Sequence, residues 1–354
     1  MRVGLDLTPL LGPPTGIYQH TRALLDELVA RDDIDLRGWL LTGRGRARGL
    51  DIPVRRLRVP GSVAQQTWRF GNVPSRRLIA GAVDVVHGIN FLAPPSAGSV
   101  VTIHDTTPLT RADLTQPSVA AKAGAIRRLL RSPALIHVPA QVIADELIAD
   151  HAAHPDRVVV VPHGIRPTPA IDPYAGVPSY RRYLVTVGRT ERRKRVPVIV
   201  EMLAYLPSDV ALVIAGPIGN DEADVEAAIR DLDDPARVVR VTEATDSLRD
   251  SLIAGSAGLV LASEYEGFGF TPLEAIRLNV PIAATAVGAL PELIGDGFEL
   301  VAPRSPDLTA ALASAAQRAL ESSVPTDIHQ RVDSLRWADA ADAMVALYRR
   351  ASEI

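Results

Sequence analysis

Short apolar runs alternate with longer stretches of helical period along almost the whole chain, and the alternation occurs twice. In the first half, residues 2–7, 39–41, 54–59, 83–87, 100–105, 134–138 and 158–161 read as strands. Helical spacing appears between them, at Thr21, Leu24, Leu25 and Leu28, at 65–80 with breaks at Gly71 and Pro74, at 118–131 and at 140–150. The second half repeats the scheme, with strands at 183–187, 210–215, 237–241, 257–262, 281–284 and 298–301 and helices at 195–205, 222–231 and 246–254. Uninterrupted apolar strands separated by helices predict parallel sheets covered on both faces. Between the halves, residues 165–179 hold Pro167, Pro169, Pro173 and Pro178, which is the signature of a linker.

Length and composition agree with that reading. A chain of 354 residues can build two domains, and 47% apolar against 22% charged residues is the balance of a globular protein. There is no cysteine, which removes disulfides, thiolate nucleophiles and cysteine metal sites. Residues 1–7 carry an acid inside their apolar run and read as a first strand rather than a signal peptide. No run approaches the ~20 apolar residues of a membrane span. The expected location is cytoplasmic, with a peripheral contact at the inner face of the membrane.

Charge is unevenly shared. Residues 1–165 hold 19 Lys and Arg against 14 Asp and Glu, whereas residues 166–354 hold 19 against 27. Much of the positive excess is in Arg44, Arg46, Arg48, Arg55, Arg56 and Arg58. These arginines read either as a solvated loop or as a patch for an anionic acceptor or a membrane surface. Nucleic acid is not expected as a partner, because aromatics are 4% and none interleave the basic run.

The chemistry concentrates in Glu264-Tyr265-Glu266-Gly267-Phe268-Gly269-Phe270-Thr271-Pro272-Leu273-Glu274. It follows the apolar run 258–262 and precedes a helix-like pattern at Leu273, Ala275, Ile276 and Leu278. A strand, a glycine-bearing turn and a helix start present backbone N–H groups to an anion. Thr271 suits the N-cap and Pro272 the first helical position. Thr271 and Glu274 also have capping-box spacing, in which Glu274 would bond the backbone of Thr271. A cap does not account for Glu266, an acid on the turn itself, beside Gly267 and Gly269, which let a ligand approach the backbone.

Glu266, seven residues and then Glu274, within EGFGFTPLEA, resemble the E-x7-E signature of the retaining glycosyltransferases of family 4. The resemblance implies the GT-B fold: an α/β protein of two Rossmann-like domains with parallel sheets facing across a cleft, and a C-terminal helix crossing back to the N-terminal domain. It implies an acceptor-binding domain at 1–165, a linker at 166–180, a nucleotide-sugar-binding domain at 181–335 and the returning helix at 336–354, where Ala340, Ala343, Met344, Leu347 and Tyr348 share one face. In the family the first acid, here Glu266, touches the donor sugar, and the second, here Glu274, holds the ribose. The amides of Gly269, Phe270 and Thr271 would meet the sugar and the diphosphate.

Further segments carry the same resemblance. Gly16 matches the family's glycine beside the donor diphosphate, after a plausible Thr15 cap, although many members read Gly-Ile-Gly where this chain reads Gly16-Ile17-Tyr18. His104-Asp105 resembles the segment whose His bonds the donor sugar; a satisfied core histidine is the other reading, and the favoured one for His87 and His137. His163-Gly164 resembles the lead into the linker. Gly188-Arg189-Thr190-Glu191-Arg192-Arg193-Lys194-Arg195 crowds cations before a helix, where the macrodipole disfavours them unless an anion binds. Arg189 and Lys194 match the spacing of the family's diphosphate clamp.

Walker and HExxH motifs are absent. Asp33-Ile34-Asp35 and Asp231-Leu232-Asp233 spell D-x-D, but read as solvent-facing acids at helix ends. No metal and no cofactor is therefore expected. The implied activity is transfer of a hexosyl unit, of mannosyl or glucosyl type, with retention. The donor would be a nucleotide diphospho-sugar, GDP-mannose first and a UDP-sugar next, and the acceptor a glycan, a lipid-linked or a small-molecule hydroxyl. Glu266, His104, Arg189 and Lys194 would act on the reacting groups. An epimerase or a non-catalytic nucleotide-sugar-binding protein would use the same fold.

Overall fold

The structure is a computed structural model that describes residues 1–12, 15–42, 49–167, 171 and 182–354. Pro13, Pro14, Arg44, Arg46, Arg48 and most of the proline-rich segment lie outside the described residues. The chain divides into two compact units, Met1–Gly164 with Leu335–Ile354, and Ile165–Ser334.

Unit 1 is built on strands β1 (Arg2–Asp6), β2 (Asp35–Leu41), β3 (Val54–Leu57), β4 (Val85–Gly88), β5 (Ser99–Thr102), β6 (Leu135–Val138) and β7 (Val158–Val160). They form one parallel sheet in the order β3-β2-β1-β4-β5-β6-β7. Val3 pairs with Leu36 on one side and Val85 on the other. Val3, Leu5, Val85, Val86, Val100, Val101 and Ile136 are fully buried, as expected where helices cover both faces. The helix Gly16–Val29 starts at Thr15, whose hydroxyl accepts from Tyr18 N at 3.4 Å, so the expected cap forms. The expected break in 65–80 also appears, between helices Gly61–Phe70 and Arg76–Ala80. The terminal helix Trp337–Ser352 packs in this unit and buries Ala340, Met344, Leu347 and Tyr348.

Unit 2 holds β8 (Arg182–Val187), β9 (Val210–Ala215), β10 (Val238–Val241), β11 (Gly258–Leu261) and β12 (Ile282–Ala284), parallel in the order β10-β9-β8-β11-β12. Its core packs Leu184, Leu212, Ile214 and Val260 against Ile199, Leu203, Leu312 and Ala316. The expected α/β class with two Rossmann-like parallel sheets is what the chain forms.

Some local expectations fail. Residues 298–301 are not a strand; only Val301 bridges Thr285, because Gly295–Gly297 forms a tight turn before it and Pro303 follows it closely. The turn helix runs Phe270–Arg277 and is capped by Gly269 in the left-handed region (φ 81°), so Thr271 is a helical residue and not the cap. Asp35 opens β2 rather than ending a helix, and pairs with Arg37, while Asp33 pairs with Arg31 and Arg349.

In each sheet the order reverses about the unit's first strand, between β1 and β4 and between β8 and β11. In open α/β sheets the carboxyl edge at that point is where ligands bind.

Candidate functional site

In unit 2 the carboxyl ends of β8 and β11 carry the two motifs. β8 runs into Gly188, whose φ of +124° turns the chain sharply. A Cβ on Gly188 would stand 2.1 Å from Lys194 Nζ, so the glycine makes room for that side chain. The Lys194 ammonium donates to Val187 O at 3.1 Å, and burial lowers its pKa against the pull of Glu266. Arg189 is exposed and donates to Ile218 O at 2.8 Å. The arginine brought to Glu266 is Arg193, not Arg189.

β11 is wholly buried and apolar, and the chain leaves it through the buried Ser263. Ser263 O accepts from Thr285 Oγ1 at 2.7 Å, and Ser263 Oγ donates to Glu266 Oε1 at 2.8 Å. Arg193 Nη1 donates to the same Oε1 at 2.8 Å. Burial alone would raise the Glu266 carboxyl. The charges of Arg193 and Lys194, with the Ser263 and Arg193 hydrogen bonds, outweigh it and hold Glu266 below the usual carboxylate range. Glu266 is therefore ionised, with one oxygen anchored.

The turn is held from behind. Gly267 O accepts from Ala289 N at 2.9 Å. Gly288 (φ +58°) lies so close that a Cβ there would reach 2.3 Å from Gly267 O. Gly269 then starts the helix without any side-chain cap. The first amides of that helix, at Phe270 and Thr271, have no intrahelical carbonyl to meet and form a positive end.

Glu274 has different partners from Glu266. It makes no capping box. Arg166 Nε reaches Oε1 at 3.3 Å, and Arg249 Nη2 reaches Oε2 at 3.5 Å. Asp250 completes the group, 2.7 Å from Arg166 and 3.0 Å from Arg249. Burial pushes the Glu274 carboxyl up, opposed by Arg249 and Arg166.

Sequence reasoning missed Arg193, Ser263, Arg166, Arg249 and Gly288. Arg193 stood in the basic run and could have been weighed against Lys194 as a partner for an acid. Nothing in the local pattern singles out the other four.

In unit 1, Gly16 is exposed at the start of its helix. β5 stops at Thr102, so His104 and Asp105 lie in the loop beyond it. His104 Nε2 donates to Ile89 O at 2.8 Å, which leaves Nδ1 as an acceptor facing His163 Nε2 at 3.4 Å. Burial pushes the imidazole down to about 3. Its ring lies 5.0 Å from that of His20 and 5.5 Å from that of His163.

His87 and His137 are satisfied core residues, and their hydrogen bonds run one way. His137 Nε2 faces Val161 O at 2.9 Å and must donate. Its Nδ1 then accepts from Thr102 Oγ1 at 2.9 Å. The Thr102 proton is thus used, so His87 Nε2 donates to Thr102 at 2.7 Å and His87 Nδ1 accepts from Tyr348 O–H at 2.7 Å. Burial pushes both imidazoles down, and each has its tautomer fixed by its partners.

Comparison with known proteins agrees with this arrangement. Two family models match: "Glycosyltransferase Family 4" over residues 14–168, and "Glycosyl transferases group 1" over residues 169–331. The D-inositol 3-phosphate glycosyltransferase of Mycolicibacterium paratuberculosis is 32% identical over 225 residues, covering 59% of this chain and 51% of the relative. That of Mycobacterium avium is also 32% identical, covering 59% and 53%. The matched region thus spans about half the length of these relatives. In fold, the chain is similar to sucrose-phosphate synthase from Thermosynechococcus elongatus (TM-score 0.76, 18% identity, 99% and 98% of the two chains). It is also similar to HepE from Anabaena in complex with UDP and glucose (TM-score 0.68, 15% identity, 99% and 100%). The E-x7-E turn, the basic motif after β8 and two family models that together run from residue 14 to residue 331 place the chain among the family-4 glycosyltransferases of the GT-B fold.

Proposed function

We propose that the protein is a retaining glycosyltransferase that moves a sugar from a nucleotide diphospho-sugar to an acceptor hydroxyl. The observation that carries this is the Glu266 carboxylate, ionised and anchored through one oxygen, next to Lys194 and the uncapped helix start at Gly269-Phe270-Thr271. Unit 2 takes the donor. The glycosidic bond to the diphosphate breaks, and the charge growing on the leaving group is met by Lys194, Arg189 and the helix amides. Glu266 accepts hydrogen bonds from the sugar hydroxyls and fixes its orientation. The acceptor oxygen attacks the same face, and its proton passes to a phosphate oxygen of the leaving group.

HepE, solved with UDP, and the relatives named for D-inositol 3-phosphate move the first choice of donor from GDP-mannose to a UDP-sugar, and of acceptor to a cyclitol or sugar. Unit 1 takes that acceptor. A peripheral membrane contact is supported by exposed Val63, Phe70, Val73 and Leu78 lying among Arg55, Arg58, Arg69 and Arg77.

The test is a thermal-shift screen of UDP-, GDP-, ADP- and dTDP-sugars, followed by NMR of the product anomer and by turnover with and without EDTA. A donor that stabilises the protein, a retained anomeric configuration and turnover that survives chelation are expected. An inverted product removes the retaining mechanism, and conversion of donor with no acceptor present points to an epimerase.

A further inference from the structure

The chain carries 38 lysines and arginines, and only two are lysines, Lys122 and Lys194. Lys194 belongs to the donor side described above. Lys122 has no part in it, yet it too reaches the carboxyl edge of its unit's sheet, beside the residues that follow β4. It lies between helices Pro117–Ala120 and Ala123–Leu130. Its ammonium is 5.2 Å from the centre of the Phe91 ring and 3.5 Å from Asn90 O. The charges of Asp6 and Asp105 both act on it.

These residues come from the carboxyl edge where the strand order reverses. Asp6 ends β1, Asn90 and Phe91 follow β4, and Asp105 follows β5. Asn90, Asp105 and Lys122 are half-buried and remain reachable. Asn90 Oδ1 is buried with no hydrogen-bond partner, a cost that a ligand hydroxyl would remove. Phe91 holds a positive φ of 65°, strained for an aromatic residue, and is 2% exposed. Asp6 accepts from Thr8 N at 2.9 Å; burial raises Asp6 to about 6 and lowers Lys122 to about 8.

The charge balance selects the ligand. One ammonium between two carboxylates leaves no surplus positive charge for a phosphate. The site instead offers donors and acceptors side by side, which suits neighbouring hydroxyls that each donate and accept once. A lysine fits better than an arginine here, because its three donors radiate from a point rather than a planar fork.

We propose that Asp6, Asn90 and Lys122 form the subsite for the ring hydroxyls of a neutral, polyhydroxylated acceptor. The subsite rests on the glycosyltransferase reading given above. Any phosphate on an acceptor is held elsewhere.

The test is saturation-transfer NMR and titration calorimetry on the full chain with myo-inositol, methyl α-glucoside, inorganic phosphate and UDP. At least one polyol binds the wild type, phosphate does not displace it, and UDP binds independently. In Lys122→Met and Asn90→Ala polyol affinity falls by about tenfold or more, the scale of a lost hydrogen bond to a charged or buried group, while UDP affinity is unchanged. Circular dichroism checks each fold; if one variant fails to fold, the other decides. Unchanged polyol affinity in the folded variants overturns the subsite, as does displacement by phosphate, or UDP binding with no polyol bound. Failure of the wild type to bind both UDP and polyols removes the glycosyltransferase reading, and the subsite with it.

Discussion

Arg193 Nη1 and Ser263 Oγ both donate to Glu266 Oε1, so that Arg193 decides which oxygen of Glu266 is left for a ligand. If Glu266 orients the donor sugar, removing Arg193 swings the carboxylate without removing it. Arg193→Met is expected to weaken binding of a UDP-sugar relative to UDP alone and to lower turnover by about a hundredfold, as for a lost charge-stabilising group. Arg193→Lys restores part of it. Equal losses for UDP and UDP-sugar, read by calorimetry, would assign Arg193 to folding instead.

Gly188→Ala places a Cβ 2.1 Å from Lys194 Nζ at a backbone φ of +124°. The ammonium must move, so this substitution is expected to reproduce the loss expected of Lys194→Ala, about 3 kcal/mol in kcat/KM. Arg189→Ala is expected to lower turnover by a similar amount. Near-normal turnover in both Lys194→Ala and Arg189→Ala ends their assignment to the diphosphate.

Acid should weaken unit 1 before unit 2. His137 is buried and pushed down to about 4, and His20, His87 and His163 lie well below their usual value. A depressed histidine binds its proton more readily unfolded than folded. Stability is therefore full above pH ~6.5 and falls as pH drops toward the folded value. At pH 5 the His137 shift alone costs about 2 kcal/mol. Urea denaturation at pH 7 and pH 5 reads the difference. A flat profile over that range would show the cluster to be already charged. His20 has neither ring nitrogen bonded, so His20→Leu should not lower stability at pH 7 and should soften the acid loss.

Arg277 is buried and donates to four carbonyls, those of Ile165, Arg166, Val332 and Asp333. Arg277→Ala leaves these oxygens without a cation and is expected to cost ~3 kcal/mol or more, with Arg277→Lys recovering little because it lacks the fork. Chemical denaturation measures it; a loss under ~1 kcal/mol would mean that water replaces the guanidinium.

If the Phe70 surface meets a bilayer, flotation with vesicles containing anionic lipid should carry the wild type upward and neutral vesicles should not. Phe70 is 76% exposed and Val73 65%, so Phe70→Glu with Val73→Glu should abolish flotation with no change in melting temperature. Flotation that survives the double substitution excludes this surface.

Much of the fold was readable in the sequence because strand and helix signals are local. Residues 210–215 and 246–254 match their elements at both ends, since apolar runs and turn residues bound them directly. Residues 298–301 misled because an apolar end, Leu300-Val301, looks the same whether it pairs over four residues or one. Contacts between motifs were less readable. Glu274 had the right spacing to bond Thr271, and nothing nearby announced that Arg166, 108 positions earlier, would meet it instead. The basic run after β8 pointed to an anion, but periodicity does not say which of its cations turns toward Glu266.

The helix Phe270–Arg277 is eight residues long, about 12 Å of stiff rod at the usual rise. One tip is the positive end of the helix, beside the Glu266 turn. The other grips the stretches by which the polypeptide enters and departs from unit 2, at 165–166 and 332–333. A displacement of the first tip would be carried to the second if the helix moves as one rod. If the turn binds a sugar nucleotide, substitutions at the grip would register as altered affinity for it without touching the ligand.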